Sequence, residues 1–110
     1  MVTLTAGSVV LVPFPFSDLS ESKLRPAVVL ASADREDWIL CQVTSKRYSD
    51  ARAGEILDSS FEAGSLHLVS YARPGKLFTA HSSLIQREVG ILKRSTLDDI
   101  TSAVILMLRH

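Results

Sequence analysis

Apolar residues along this chain come in short runs, each closed by a polar or proline-containing stretch. After Gly7 the run "SVVLVPFPF" is rich in β-branched and aromatic residues and predicts a strand. Pro13 and Pro15 have no N–H to give a ladder, so its second half is expected at a sheet edge or outside the sheet. "SDLSESK" reads as a loop, and "PAVVLAS" as a strand buried on both faces, because its apolar run is nearly unbroken. The short "ADRED" turns the chain into "WILCQVTS", an antiparallel neighbour. "KRYSDARAG" is a polar excursion before a short strand near "GEILD", and "SSFEAGS" is another loop. "LHLVSYA" alternates weakly and predicts a strand with His67 on its outer face. A Pro-Gly turn signal then opens "RPGKLFTA" ahead of the strand "KLFTA", and "SSLIQREVGIL" supplies a turn and a last strand.

The end of the chain changes period. In "KRSTLDDITSAVILMLRH" the residues Leu97, Ile100, Val104, Met107 and Leu108 share one helical face, and Ile105 and Leu106 widen it. Ser95 is the expected N-cap, with Asp98 three residues on and Asp98 and Asp99 suited to the first-turn dipole. A stripe this wide implies burial against the sheet and against a second subunit. Many short strands followed by one helix predict a mainly β fold, a small curved antiparallel β-barrel with a C-terminal α-helix.

Length and composition fit one domain over residues 1–110, with 46% apolar residues to fill a core. Cys41 has no second cysteine to pair with, as in a reduced, cytoplasmic protein. The start "MVTLTAGS" has no signal-peptide pattern, and no run is long enough for a membrane span. Formal net charge is zero, with 12 basic and 12 acidic side chains. The distribution is uneven: segments 18–25, 44–52 and 71–81 hold Lys23, Arg25, Lys46, Arg47, Arg52, Arg73 and Lys76 against Asp18, Glu21 and Asp50. If those segments meet, they form a positive surface on a neutral protein.

Several chemistries have no residues to carry them. One cysteine and three scattered histidines show no metal-ligand spacing, so no metal or other cofactor is expected. No glycine loop suits a phosphate chain, and no serine sits in a G-x-S-x-G elbow. Arg25 is more informative. Its fork suits phosphate, and Pro26 restricts it to an extended backbone at the mouth of a buried strand. Taken alone, the same residue more often caps a strand and pairs on the surface, here with Glu21 or Asp18. Thr44 and Ser45 end the next strand with two hydroxyls beside Lys46 and Arg47; they either serve a ligand or satisfy nearby backbone. His81 follows a strand, where its imidazole could exchange a proton in catalysis or simply face solvent. Cys41 reads as core rather than nucleophile, and Arg73 and Lys76 flank the Pro-Gly turn.

The order of these pieces resembles the MazF/PemK family of type II toxins. "GSVVLVPFPFSDLSESKLRPAVVLAS", "ILCQVTS", "YARPGKLFTA" and the terminal helix carry the likeness from about Gly7 onward. The resemblance implies an SH3-like plasmid-toxin barrel that forms a homodimer, and metal-independent cleavage of single-stranded RNA through a 2′,3′-cyclic phosphate. It also implies neutralisation by a cognate antitoxin. The family's Arg-Pro arginine and strand-end threonine map onto Arg25 and Thr44, with Ser45, Lys46, Arg47, Arg73, Lys76 and His81 left to bind substrate. Many members carry a Gly-Ser-Glu-Gln loop before Arg-Pro; here the stretch is the glycine-free "LSESK", with Glu21 nearest that glutamate and so the candidate base. His81 is the second candidate. The Arg-x-x-Asp of several members reads Lys76-Leu77-Phe78-Thr79 here, without a carboxylate. Two other uses of such a barrel stay open: a poison of a protein such as DNA gyrase, acting through the helix, and a binding module that does not cleave.

Overall fold

The computed structural model of the chain describes residues 4–13, 23–46 and 54–109. Its strands are β1 (Ser8–Pro13), β2 (Leu24–Asp34), β3 (Asp37–Thr44), β4 (Gly54–Ile56), β5 (Phe61–Gly64), β6 (Ser70–His81) and β7 (Arg87–Leu92), and they precede one helix, α1 (Arg94–Leu108). Among the described residues these strands form one antiparallel sheet in the order β4-β6-β3-β2-β1-β7-β5. Ile56 from one edge strand and Phe61 from the other belong to the same buried cluster, so the sheet curls into a half-barrel around it. The mainly β expectation with a C-terminal helix therefore holds.

Strand alternation divides the side chains between two faces. Val9, Val28, Cys41, Val43 and Ala72 point into the cluster that Leu97 and Ile100 of α1 complete. Val10, Val12, Ala27, Val29, Leu40 and Ala80 form a second cluster on the opposite face, against Trp38 and Phe78. "PAVVLAS" thus reads as nearly unbroken apolar sequence because β2 feeds both clusters.

Several local expectations are corrected. "SSFEAGS" contains a strand, β5, which pairs with β7 from Phe61↔Leu92 to Gly64↔Gly90. Its pairing is set by close packing that composition does not reveal. Gly64 has φ +77, and a Cβ there would lie 2.2 Å from the Val89 carbonyl oxygen. "LHLVSYA" is not a strand until Ser70; His67 adopts φ 59 and its N–H bonds to Ser65 Oγ at 2.8 Å. Arg73-Pro74-Gly75 is no hairpin turn but a bulge inside β6. Cys41 pairs with Leu77 and Val43 with Ala72, so residues 73–76 lie opposite Gln42 alone. A bulge releases backbone from the ladder, which is why a fully buried Pro74 is accepted there.

The helix starts at Arg94 with Lys93 as N-cap, so Ser95 lies inside the first turn instead of capping it. Asp98 falls beyond that turn and pairs with Arg94 at 3.1 Å on an exposed face, as i,i+4 neighbours do. Leu97, Ile100 and Val104 are buried as expected, Met107 is half-buried, and Ile105, Leu106 and Leu108 are exposed. No helix among the described residues is long and apolar enough to cross a membrane.

Candidate active site

Arg25 is the second residue of β2 and Thr44 the last of β3. The two strands pair Val29↔Leu40, Val28↔Cys41 and Ala27↔Gln42. The paired register ends at Ala27↔Gln42, and Arg25 and Thr44 each lie two residues beyond it, in line with one another and on the same face. Two irregularities in β2 create this register. Counted from the hairpin pair Asp34↔Asp37, unbroken pairing would put Thr44 opposite Ala27, but the shifts between Ser32 and Asp34 and between Val29 and Ala31 move it two residues. Moving by two preserves side-chain parity, so both residues stay on the face turned away from α1.

A pocket of about 390 Å³ lies at this end of the sheet, lined by Arg25, Thr44, Ser45 and Lys46 together with Leu11, Leu24, Pro26, Val43, Leu66, Leu68 and Ser70. Leu11, Pro26 and Val43 alternate with the arginine and the threonine, so the pocket wraps around the strand ends rather than resting on one face. Arg25 and Thr44 are half-buried, and Ser45 and Lys46 are exposed. The Thr44 hydroxyl accepts the Lys46 N–H at 3.2 Å. That bond serves the backbone, as strand-end hydroxyls commonly do, and it also orients Oγ1 while leaving its O–H free to donate.

The remaining sequence candidates separate. Arg73 is half-buried on the β6 bulge with its Nε buried, and Lys76 is exposed on the same bulge opposite Gln42. His81 pairs with Asp37 at the far end of β3, so it is not brought to this pocket. Its Nδ1 accepts the Ser83 N–H at 3.1 Å and caps the short turn Ser82–Leu84. Glu21 and Arg47 lie outside the described residues. Cys41 is fully buried; burial pushes its thiol up to about 12, and Sγ donates to the Arg73 carbonyl at 3.1 Å. Such a thiol is inert as a nucleophile near neutrality.

Sequence reading missed the apolar wall from Leu66 and Leu68, since the segment holding them was expected to be a strand. It also missed Tyr71 and Glu55. Tyr71 pairs with Thr44 on one side and with Glu55 on the other. No spacing within the chain announces that neighbourhood.

Residues 5–108 match the family described as PemK-like, MazF-like toxin of type II toxin–antitoxin system. No curated protein matches the chain by sequence. Among solved structures, MazF (Form-I) from Deinococcus radiodurans superposes with a TM-score of 0.78 at 16% identity, covering 100% of this chain and 100% of that one. An endoribonuclease from a mycobacterial species, solved in complex with its cognate antitoxin, gives 0.75 at 13% identity, covering 99% and 96%. The D. radiodurans MazE–MazF structure (Form-III) gives 0.74 at 16% identity, covering 94% of each. These likenesses establish the shared fold, and the family match runs almost end to end. The chain belongs to the PemK-like, MazF-like toxins of type II toxin–antitoxin systems.

Proposed function

We propose that this toxin is an endoribonuclease that cuts single-stranded RNA at short sequence motifs. The observation that carries the reading is that Arg25 and Thr44, at the ends of neighbouring strands, line one pocket. When a 2′-hydroxyl attacks the adjacent phosphorus, negative charge grows on the phosphorane oxygens, and donors already in place stabilise it. Arg25 supplies a positive charge and a planar fork that matches two oxygens. Thr44 adds its oriented O–H. The P–O5′ bond breaks, leaving a 2′,3′-cyclic phosphate and a 5′-hydroxyl. Ser45 and Lys46 hold the RNA at the pocket rim, while Arg47, Arg73 and Lys76 draw its backbone in electrostatically.

The toxin works in the cytoplasm as a homodimer held in check by a cognate antitoxin. The exposed Ile105, Leu106 and Leu108 on α1 support a second subunit, and the mycobacterial relative solved with its antitoxin supports the partner. Incubation with a long RNA and mapping of 5′-hydroxyl ends tests the activity. Wild type yields a recurrent cleavage motif, with or without EDTA, and Arg25→Ala yields none while its thermal unfolding is unchanged. Full cleavage by Arg25→Ala would defeat the assignment. Retained toxicity in that variant, lost instead on changes to Leu106 and Leu108, would favour a gyrase-type poison.

A further inference from the structure

The nuclease reading leaves one role unfilled among the described residues: a group to take the proton from the attacking 2′-hydroxyl. Across four neighbouring strands a single row of residues runs Arg25 (β2), Thr44 (β3), Tyr71 (β6), Glu55 (β4). Thr44↔Tyr71 and Tyr71↔Glu55 are direct cross-strand pairs, and Arg25 joins by continuation of the β2–β3 register. Directly opposed residues project to the same side of a sheet. The parity is checked by their neighbours: Val43, Ala72 and Ile56, each one residue away, all point into the cluster under α1. Arg25, Thr44, Tyr71 and Glu55 therefore stand together on the other face.

We propose that Glu55 is the general base of this site and that Tyr71, between it and Thr44, is the surface on which the nucleoside rests. The proposal deepens the endoribonuclease reading and rests on it. Among the described residues Glu55 is the acid in this row; Asp34, Glu36 and Asp37 lie at the hairpin end, Glu62 lies on β5, and Glu88, opposite Val10 on the same face, accepts the Ser8 hydroxyl at 2.6 Å. Two strand spacings separate Thr44 from Glu55, about 10 Å between Cα atoms. A phosphate at Arg25 and Thr44, its ribose, and an extended glutamate side chain fill that distance. Glu55 is exposed on an edge strand, free to approach RNA without disturbing the core. Tyr71 is half-buried, which holds its ring in place beside the ribose and gives a base something to stack on.

In the step itself the 2′-O–H bond breaks and its proton passes to the Glu55 carboxylate. The freed electron pair forms the O2′–P bond, the P–O5′ pair leaves with the 5′-oxygen, and that oxygen takes a proton from water at the open strand end. Glu55 then returns its proton to solvent, so no co-reactant is consumed.

The test uses the full chain and a short single-stranded RNA containing the motif found by end mapping with wild type. Glu55→Gln should lower kcat by roughly 10²–10⁴-fold with KM within about threefold, the usual range for losing a general base. Glu55→Ala should regain part of that rate with added formate. A 5′-bridging sulfur, which makes the leaving group good without an acid, should rescue neither variant. Tyr71→Ala should chiefly raise KM. Wild-type rates in Glu55→Gln beside an inactive Arg25→Ala would overturn the proposal and leave the nuclease reading standing. Rescue by the bridging sulfur would make Glu55 an acid and likewise overturn it. Absence of cleavage by wild type would remove the reading and the proposal together.

Discussion

The sheet face turned away from α1 has two ends of opposite character. At the hairpin end Val29, Leu40, Phe78 and Ala80 pack against Trp38 and Ile85 as an ordinary apolar cluster. At the other end, along the same strands, stand Arg25, Gln42, Thr44, Tyr71 and Glu55, each exposed or half-buried. Between them β2 and β3 pair without a break from Val29↔Leu40 to Ala27↔Gln42, while β6 leaves the ladder at the 73–76 bulge, so the ends differ in side chains, solvent access and the path of β6. The apolar end supplies stability and holds the strands in register; the polar end spends that rigidity on holding charged and hydroxyl groups still. Removing a group from one end should leave the property of the other intact.

The sharpest break comes from Arg25→Ala, which should cost about 10³-fold or more in cleavage, the scale of losing a preorganised charge stabiliser, with an unchanged unfolding midpoint. Leu40→Ala is its mirror image. Leu40 is fully buried, so truncation should cost about 2–5 kcal/mol in denaturant unfolding, while the molecules that remain folded cleave at the wild-type rate. If Leu40→Ala lowered activity per folded molecule as much as Arg25→Ala does, the two ends would not be separable. Within the polar end, Thr44→Val should lose about 10–100-fold in kcat, as expected for one hydrogen bond to a charged group, and Thr44→Ser should stay near wild type. Equal losses in both variants would show that the methyl group matters rather than the hydroxyl.

The smallest effect tests the apolar end's own turn. Arg35 and Glu36 adopt φ 50 and 65, left-handed values that favour glycine or asparagine. Glu36→Gly should stabilise the protein by about 0.5–1 kcal/mol in thermal unfolding, since relief of strain outweighs the added freedom of the unfolded chain. Cleavage should not change.

Much of this protein was readable before any coordinates. Val9 to Val12, Val28 to Leu30 and Leu40 to Val43 announce strands through composition, and Leu97, Ile100 and Val104 announce a helix through period. Arg25-Pro26 and Thr44-Ser45 stood out because charge and hydroxyls sit where apolar runs meet water. Other features were unreadable for physical reasons. β5 is four residues long and is defined by glycines that let Gly64 and Gly90 approach each other. Pro74-Gly75 has the chemistry of a turn, and a strand on one side converts it to a bulge. His81 had plausible chemistry and no way to declare its distance from Thr44.

Local chemistry thus announces the long apolar strands, their ends and the helix, because propensity and period act over a few neighbours. Which residues face each other across strands depends on accumulated register, and every bulge shifts that register, by one at each irregularity in β2 and by three at the bulge in β6. Two shifts in β2 bring Thr44 to Arg25 instead of Ala27, and a four-residue bulge in β6 still lets Tyr71 meet Thr44 on one side and Glu55 on the other. A single shift more or fewer would turn the threonine to the opposite face, and the row would not exist.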